Sequence, residues 1–142
     1  MATIKEAEMQ TGITKQNIRY YEKIGLLQPS REQENKYRNY REEDIRRLKL
    51  IFLFRKLDMP LEEIRQLLEG TIELQDALQM QKEMLVERQQ KLQAAISFCG
   101  QIEEKELTQL DVDWYLSKIK TEEKNGHYFA DILRDYKKVL QS

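Results

Sequence analysis

One cysteine, Cys99, and one histidine, His127, in 142 residues leave nothing from which to build an intramolecular disulfide or a closed Cys/His zinc site. Intrachain metal chemistry would have to rest on carboxylates, and no cofactor is expected. Proline occurs twice and glycine five times, too few for the many turns of a stranded sandwich. The abundance of Glu, Lys, Gln, Leu and Arg favours long helices instead. Long apolar runs are also missing: Leu50-Ile51-Phe52-Leu53-Phe54 is the longest, far short of the roughly 20 residues a membrane span requires. Lys5, Glu6 and Glu8 stand where a secretory leader would be apolar, so a soluble cytoplasmic protein is expected. The length suits one domain, or one small domain with an appendage, and excludes a large multidomain enzyme.

What is present is charge, and its distribution is uneven. The 24 Lys and Arg nearly cancel the 25 Asp and Glu. Residues 15–56 nevertheless carry twelve basic against six acidic side chains, whereas residues 71–142 carry ten against thirteen. Such polarity suggests a first half that faces a polyanion and a second half with another task.

The pattern along the chain reads as a mainly α protein. Thr3-Ile4-Lys5-Glu6 fits a capping box, and the helix it opens, carrying Ile4 and Ala7, should stop near Thr11-Gly12, where glycine permits positive φ. Thr14 offers the next N-cap. On the second helix Ile18, Tyr21 and Ile24 share one side, while Gln16, Arg19, Tyr20 and Lys23 occupy the opposite one. Amide, guanidinium and ammonium groups on one face suit a major groove, because Gln pairs with adenine and Arg with guanine or phosphate. An ordinary solvated face would look similar on this helix alone. Gly25 closes it, Leu26-Leu27 comes next, and polar residues lead from Pro29 to Tyr37-Arg38-Asn39-Tyr40, which reads as a small β-hairpin with Arg38 placed to meet a phosphate. Glu42-Glu43-Asp44 favour the start of a third helix with Ile45, Leu48 and Phe52 on one side. Asp58-Met59-Pro60 breaks it, and a fourth helix carries Leu61, Ile64, Leu67 and Leu68 to Gly70.

These blocks together, Ile13-Thr14 through Ile18-Arg19-Tyr20-Tyr21-Glu22, Gly25-Leu26-Leu27 with Pro29, Glu34 through Tyr40, Asp44-Ile45 with Leu48, and Leu61-Glu62-Glu63-Ile64 with Leu67-Leu68, resemble the DNA-binding domain of MerR-family transcription regulators. The resemblance spans about residues 3–69 and implies a winged helix-turn-helix whose second helix enters the major groove. It places Arg19, Tyr20, Tyr37, Arg38 and Arg55 at the DNA, with Gln16 and Asn17 where base preference varies; Thr14, Lys15 and Lys23, on the same helix and its cap, are expected at the DNA as well. Three positions depart from the family pattern: Lys36 in place of a wing glycine, Arg41 in place of a capping Ser or Thr, and Asp58 where glycine is common.

From Leu74 to about Leu107 there is no proline, and Leu78, Leu85, Leu92 and Cys99 recur every seven residues, with Ala95 and Ile102 between repeats. Too little chain remains after it to cover such a helix on both sides, so it is expected to dimerise as a coiled coil; the resemblance implies the same, with a two-fold pseudo-palindromic operator. Cys99 on the stripe reads as a small buried hydrophobe before it reads as a sensor. Beyond it, two short helices separated by Asn125-Gly126 carry Trp114, Tyr115, Tyr128, Phe129 and Tyr136. These aromatics either line a site for a small-molecule effector or cover other parts of the dimer, the second being favoured. His127 reads as a surface or capping group.

The expected organisation is a winged helix-turn-helix head over residues 1–70, a coiled-coil dimerisation helix over 71–108 and a short helical tail over 109–142. The expected function is that of a homodimeric, sequence-specific DNA-binding regulator, not an enzyme. By resemblance it would bend and untwist promoter DNA for RNA polymerase in response to an effector. The alternative is an architectural DNA-binding protein that needs no effector.

Overall fold

The computed structural model describes residues 1–31 and 38–130. It is mainly helical and divides into two compact units, residues 1–78 and 79–142.

In the first unit, α1 (Ile4–Thr11) and α2 (Lys15–Lys23) are joined by a three-residue turn. Thr3 caps α1 by accepting the Glu6 amide at 3.2 Å. Glu6 does not return to the Thr3 backbone as a capping box would have it; its carboxylate accepts the Thr3 hydroxyl at 3.1 Å. Gly12 ends the helix in the left-handed region, φ 78°. Thr11 holds the turn: its hydroxyl donates to the Ala7 carbonyl at 2.8 Å and accepts the Ile13 amide at 3.1 Å.

The short strands β1 (Ser30–Arg31) and β2 (Arg38–Asn39) pair antiparallel, Ser30 opposite Asn39 and Arg31 opposite Arg38. The turn expected between them, with Lys36, lies outside the described residues. Next to this pair, Ala2 and Tyr40 exchange backbone hydrogen bonds of 2.8 Å in each direction. Tyr40, expected in the wing with Tyr37, is instead fully buried and donates its hydroxyl to Glu22 on α2. It ties the strands to α2.

Helices α3 (Glu42–Lys56) and α4 (Leu61–Glu69) complete the unit. Arg41 supplies no Ser or Thr cap, and the buried Asp44 takes over the task by accepting the Arg41 amide at 2.9 Å. On α3 the buried apolar residues are Ile45, Leu48, Ile51 and Phe54, and Phe52 lies at the surface. The expected straight stripe through Phe52 is therefore corrected. Spacing by three drifts around the helix, and α3 packs against both α1 and α4, so its buried positions answer to two neighbours rather than one. Asp58, between α3 and α4, adopts φ 62°, the left-handed conformation for which glycine is the usual residue.

Helix α5 (Leu74–Gln101) begins in the first unit, with Ala77 buried in its core. It ends at Gln101 rather than near Leu107, so Ile102 falls beyond the helix expected to carry it. After a single 3-10 turn, Leu107–Gln109, comes α6 (Val112–Lys124), capped by Asp111, which accepts the Trp114 amide at 3.2 Å. Within the second unit the buried Phe98 meets Tyr115 edge-on at 5.8 Å between ring centroids and Phe129 at 5.5 Å. The second tail helix does not begin within residues 127–130, which are not helical; the remainder, with Tyr136, lies outside the described residues.

Candidate nucleic-acid interface

Helix α2 has nine residues, too short to persist alone in water, and the surrounding unit holds both its ends. At the N-terminus the Thr14 hydroxyl accepts the Asn17 amide at 3.2 Å, and Glu8 from α1 accepts the Lys15 amide at 2.8 Å. Two of the orphan donors of the first turn are thereby satisfied, with a carboxylate at the positive end of the helix. Ile18 and Tyr21 are buried below. Gln16, Asn17, Arg19, Tyr20 and Lys23 are exposed above, with Tyr20 45% accessible. The polar face read from the sequence is thus presented on a fixed helix.

Thr14, Asn17, Tyr20 and Arg55 meet around one recess of about 400 Å³, floored by Gly12, Ile13 and Tyr21. Lys15, Gln16, Arg19 and Lys23 do not line it; the last three continue the exposed face of α2 beside it. Arg55 donates to the Met59 carbonyl at 2.8 Å. A guanidinium has five donors, so this bond fixes its position without exhausting it. Burial pushes the Tyr21 hydroxyl above its ordinary pKa, and the Arg55 charge draws it partly back. Tyr21 therefore stays neutral, as a core residue should.

Two members of this recess carry no distinctive mark in the sequence. Phe52 and Lys56 lie on its α3 side, the Lys56 ammonium 5.2 Å from the Phe52 ring centroid. In sequence Lys56 adds only to the regional charge, and Phe52 reads as core; their i, i+4 spacing is the available signal. Tyr37 lies outside the described residues, and Arg38 is placed by its backbone in β2.

Along α5 and just beyond it, the stripe expected at a dimer interface is exposed. Leu85 is 37% and Leu92 64% accessible, Leu78, Ile102 and Ala95 are exposed, and so is Cys99. Cys99 is therefore not buried by its own chain. Ile96, absent from the heptad reading, is exposed on the same face as Leu78, Leu85 and Leu92. Of the tail aromatics, Tyr115 is buried and Phe129 half-buried against Phe98, whereas Trp114 and Tyr128 are exposed. Trp114 and Tyr115 also line a recess of about 650 Å³ with Glu103, Glu104, Asp111 and Lys118. Among the described residues no three His, Cys, Asp or Glu side chains gather as a metal site, and no helix is long and apolar enough to cross a membrane.

Known families match this chain over most of its length. The family described as MerR HTH family regulatory protein matches residues 2–71, and the one described as MerR, DNA binding matches residues 45–109. The chain belongs to the MerR family. This MerR-family chain is 31% identical over 94 residues to the HTH-type transcriptional activator mta of Bacillus subtilis, a match covering 66% of this chain and 37% of that protein. It spans half or less of the length of the curated relatives it matches. The solved N-terminal part of the Bacillus subtilis multidrug transporter activator superposes with TM-score 0.66 at 28% identity, covering 71% of this chain and 96% of that one. A MerR-family transcriptional regulator from Bacillus cereus gives TM-score 0.64 at 26% identity, over 88% and 98% of the two chains.

Proposed function

We propose that this MerR-family chain acts as a homodimeric, sequence-specific DNA-binding regulator of transcription, with α2 as its major-groove reader. The observation that carries the reading is the exposed Gln16-Arg19-Tyr20-Lys23 face on a helix held at its N-terminus by Thr14 and Glu8. Gln and Arg supply base-edge donors and acceptors, and Lys23, Arg55 and Lys56 supply cations for phosphates.

Dimerisation rests on the bare stripe of α5. Leu78, Leu85, Leu92 and Ile96 on one helical face would leave apolar area in water unless a second copy covers it. Two-fold pairing would bring two α2 helices to a pseudo-palindromic promoter site. Bending that site costs kilocalories that contacts must offset, so a small change in how the heads are held would switch transcription. An effector would set that change, with the Trp114 and Tyr115 recess as its candidate site. The reading assigns no catalytic step to the chain.

The decisive experiment incubates the purified chain with a pool of random 30-base-pair duplexes and sequences those retained at moderate salt. Enrichment of an inverted repeat, with affinity falling steeply as salt rises, is the expected result. Salt-dependent retention without sequence enrichment would point to an architectural protein, and no retention would overturn the reading.

A further inference from the structure

The C-terminal end of α2 is held as firmly as its start, but by side chains from other helices. Arg47 on α3 donates through Nε to the Leu26 carbonyl, and Arg65 on α4 donates through Nη2 to the Ile24 carbonyl. Between these two carbonyls lies Gly25 at φ 82°, where a Cβ would sit 3.5 Å from the Arg65 guanidinium. Leu26 and Leu27, just beyond, are completely buried. Arg65 is itself steadied by Glu62 at 3.3 Å, and its side chain is only 25% exposed.

The last carbonyls of a helix have no partner within it and carry the negative end of its dipole. A guanidinium satisfies both needs, since it donates hydrogen bonds and brings a positive charge. Lys23 is the lone basic residue in the last turn of α2 itself, and it lies on the exposed face. The charge that closes the helix at Ile24 therefore comes from Arg65 on α4, 41 residues away in sequence, and Arg47 on α3 secures the Leu26 carbonyl just beyond the helix end.

We infer that Arg47 and Arg65 are positioning residues for DNA recognition, clamping the end of α2 so that Arg19, Tyr20 and Lys23 keep a fixed register in the groove. This rests on the proposed DNA-binding reading. The clamp makes the pitch of the reading helix depend on where α3 and α4 sit. Arg47 belongs to the basic excess of residues 15–56, yet its Nε is spent on the fold rather than offered to a phosphate.

The test compares wild type with Arg65→Ala, Arg65→Lys and Arg47→Ala on two probes: the duplex that the wild type selects from the random pool, and the unselected pool. Arg65→Ala is expected to weaken the selected duplex about tenfold, the equivalent of one charge-assisted hydrogen bond, and the pool much less, with the salt slope unchanged. Arg47→Ala should act in the same direction. Arg65→Lys, which keeps charge and a donor, should recover part of the loss. Hydrogen exchange should quicken at the Ile24, Gly25 and Leu26 amides of Arg65→Ala while the α1 amides stay protected. Equal weakening on both probes with a salt slope shallower by about one unit would make Arg65 a phosphate contact and overturn the inference. Unchanged affinity, or unchanged exchange at those three amides, would overturn it as well. If the wild type enriches no duplex, the DNA-binding reading fails and the inference with it, whereas unchanged exchange in a chain that does select DNA sinks the clamp alone.

Discussion

Gly12 and Gly100 show how one residue type serves two different ends. Gly12 sits at φ 78° with no neighbour nearer to its missing Cβ than 3.9 Å, so a side chain there is opposed by backbone conformation and not by space. Gly12→Ala is expected to destabilise the chain by about 1–2 kcal/mol, read as a lower urea midpoint with unchanged slope. Gly100 lies inside α5 with ordinary φ and open space around it. Gly100→Ala should therefore raise stability, by about 0.5–1 kcal/mol. If Gly12→Ala raised the midpoint as Gly100→Ala should, the assignment of Gly12 as an obligatory left-handed cap would be wrong. Asp58 marks the opposite choice, a non-glycine residue accepting φ 62° at a position where the family pattern favours glycine.

At the scale of elements, α6 is tied to the segment after α5 by a polar link within an aromatic cluster. The Tyr115 hydroxyl donates to the Glu104 carboxylate at 2.6 Å. That bond lowers the Glu104 pKa, and the same bond, aided by burial, raises that of Tyr115. A carboxyl depressed in the folded state adds stability above its unfolded pKa, and this is lost as pH falls through the lowered folded value. A phenol raised in the folded state contributes below its unfolded pKa and loses that contribution as pH climbs through the raised value. Trp114, whose ring lies 4.9 Å from Tyr115, reports on the link. Its fluorescence should show a transition below the usual carboxylate range in the wild type that Tyr115→Phe lacks. A variant that retained the transition would detach it from this hydrogen bond.

At the scale of the whole molecule, the proposed dimer rests on the bare stripe of α5. Leu85→Lys puts a charge in the centre of that stripe, on a residue already 37% exposed in the single chain. The fold of one copy should therefore survive, with far-UV circular dichroism unchanged, while sedimentation shows a shift from dimer to monomer and affinity for the selected duplex collapses. A variant that still sedimented as a dimer would move the interface elsewhere.

The helices, two of their caps and the family were legible in the sequence because they rest on local rules: Thr3 and Thr14 each cap the helix that starts beside them, and Gly12, Gly25, Gly70 and Gly126 sit at positive φ at or just beyond helix ends. The polar face of α2 was legible for the same reason, since helical period alone separates Gln16, Arg19, Tyr20 and Lys23 from Ile18 and Tyr21. Packing decided the rest. Tyr40 went to the core through its ties to Ala2 and Glu22, and Phe52 to the surface because α3 packs against both α1 and α4, which no single period encodes. Phe98, next to the heptad cysteine, became the centre of the second unit's aromatic contacts only through residues from α6 and beyond. The roles of Arg47 and Arg65 were hidden for the plainest reason: a guanidinium looks the same in sequence whether it will meet a phosphate or a carbonyl, and only the tertiary structure brings Ile24 and Leu26 within reach.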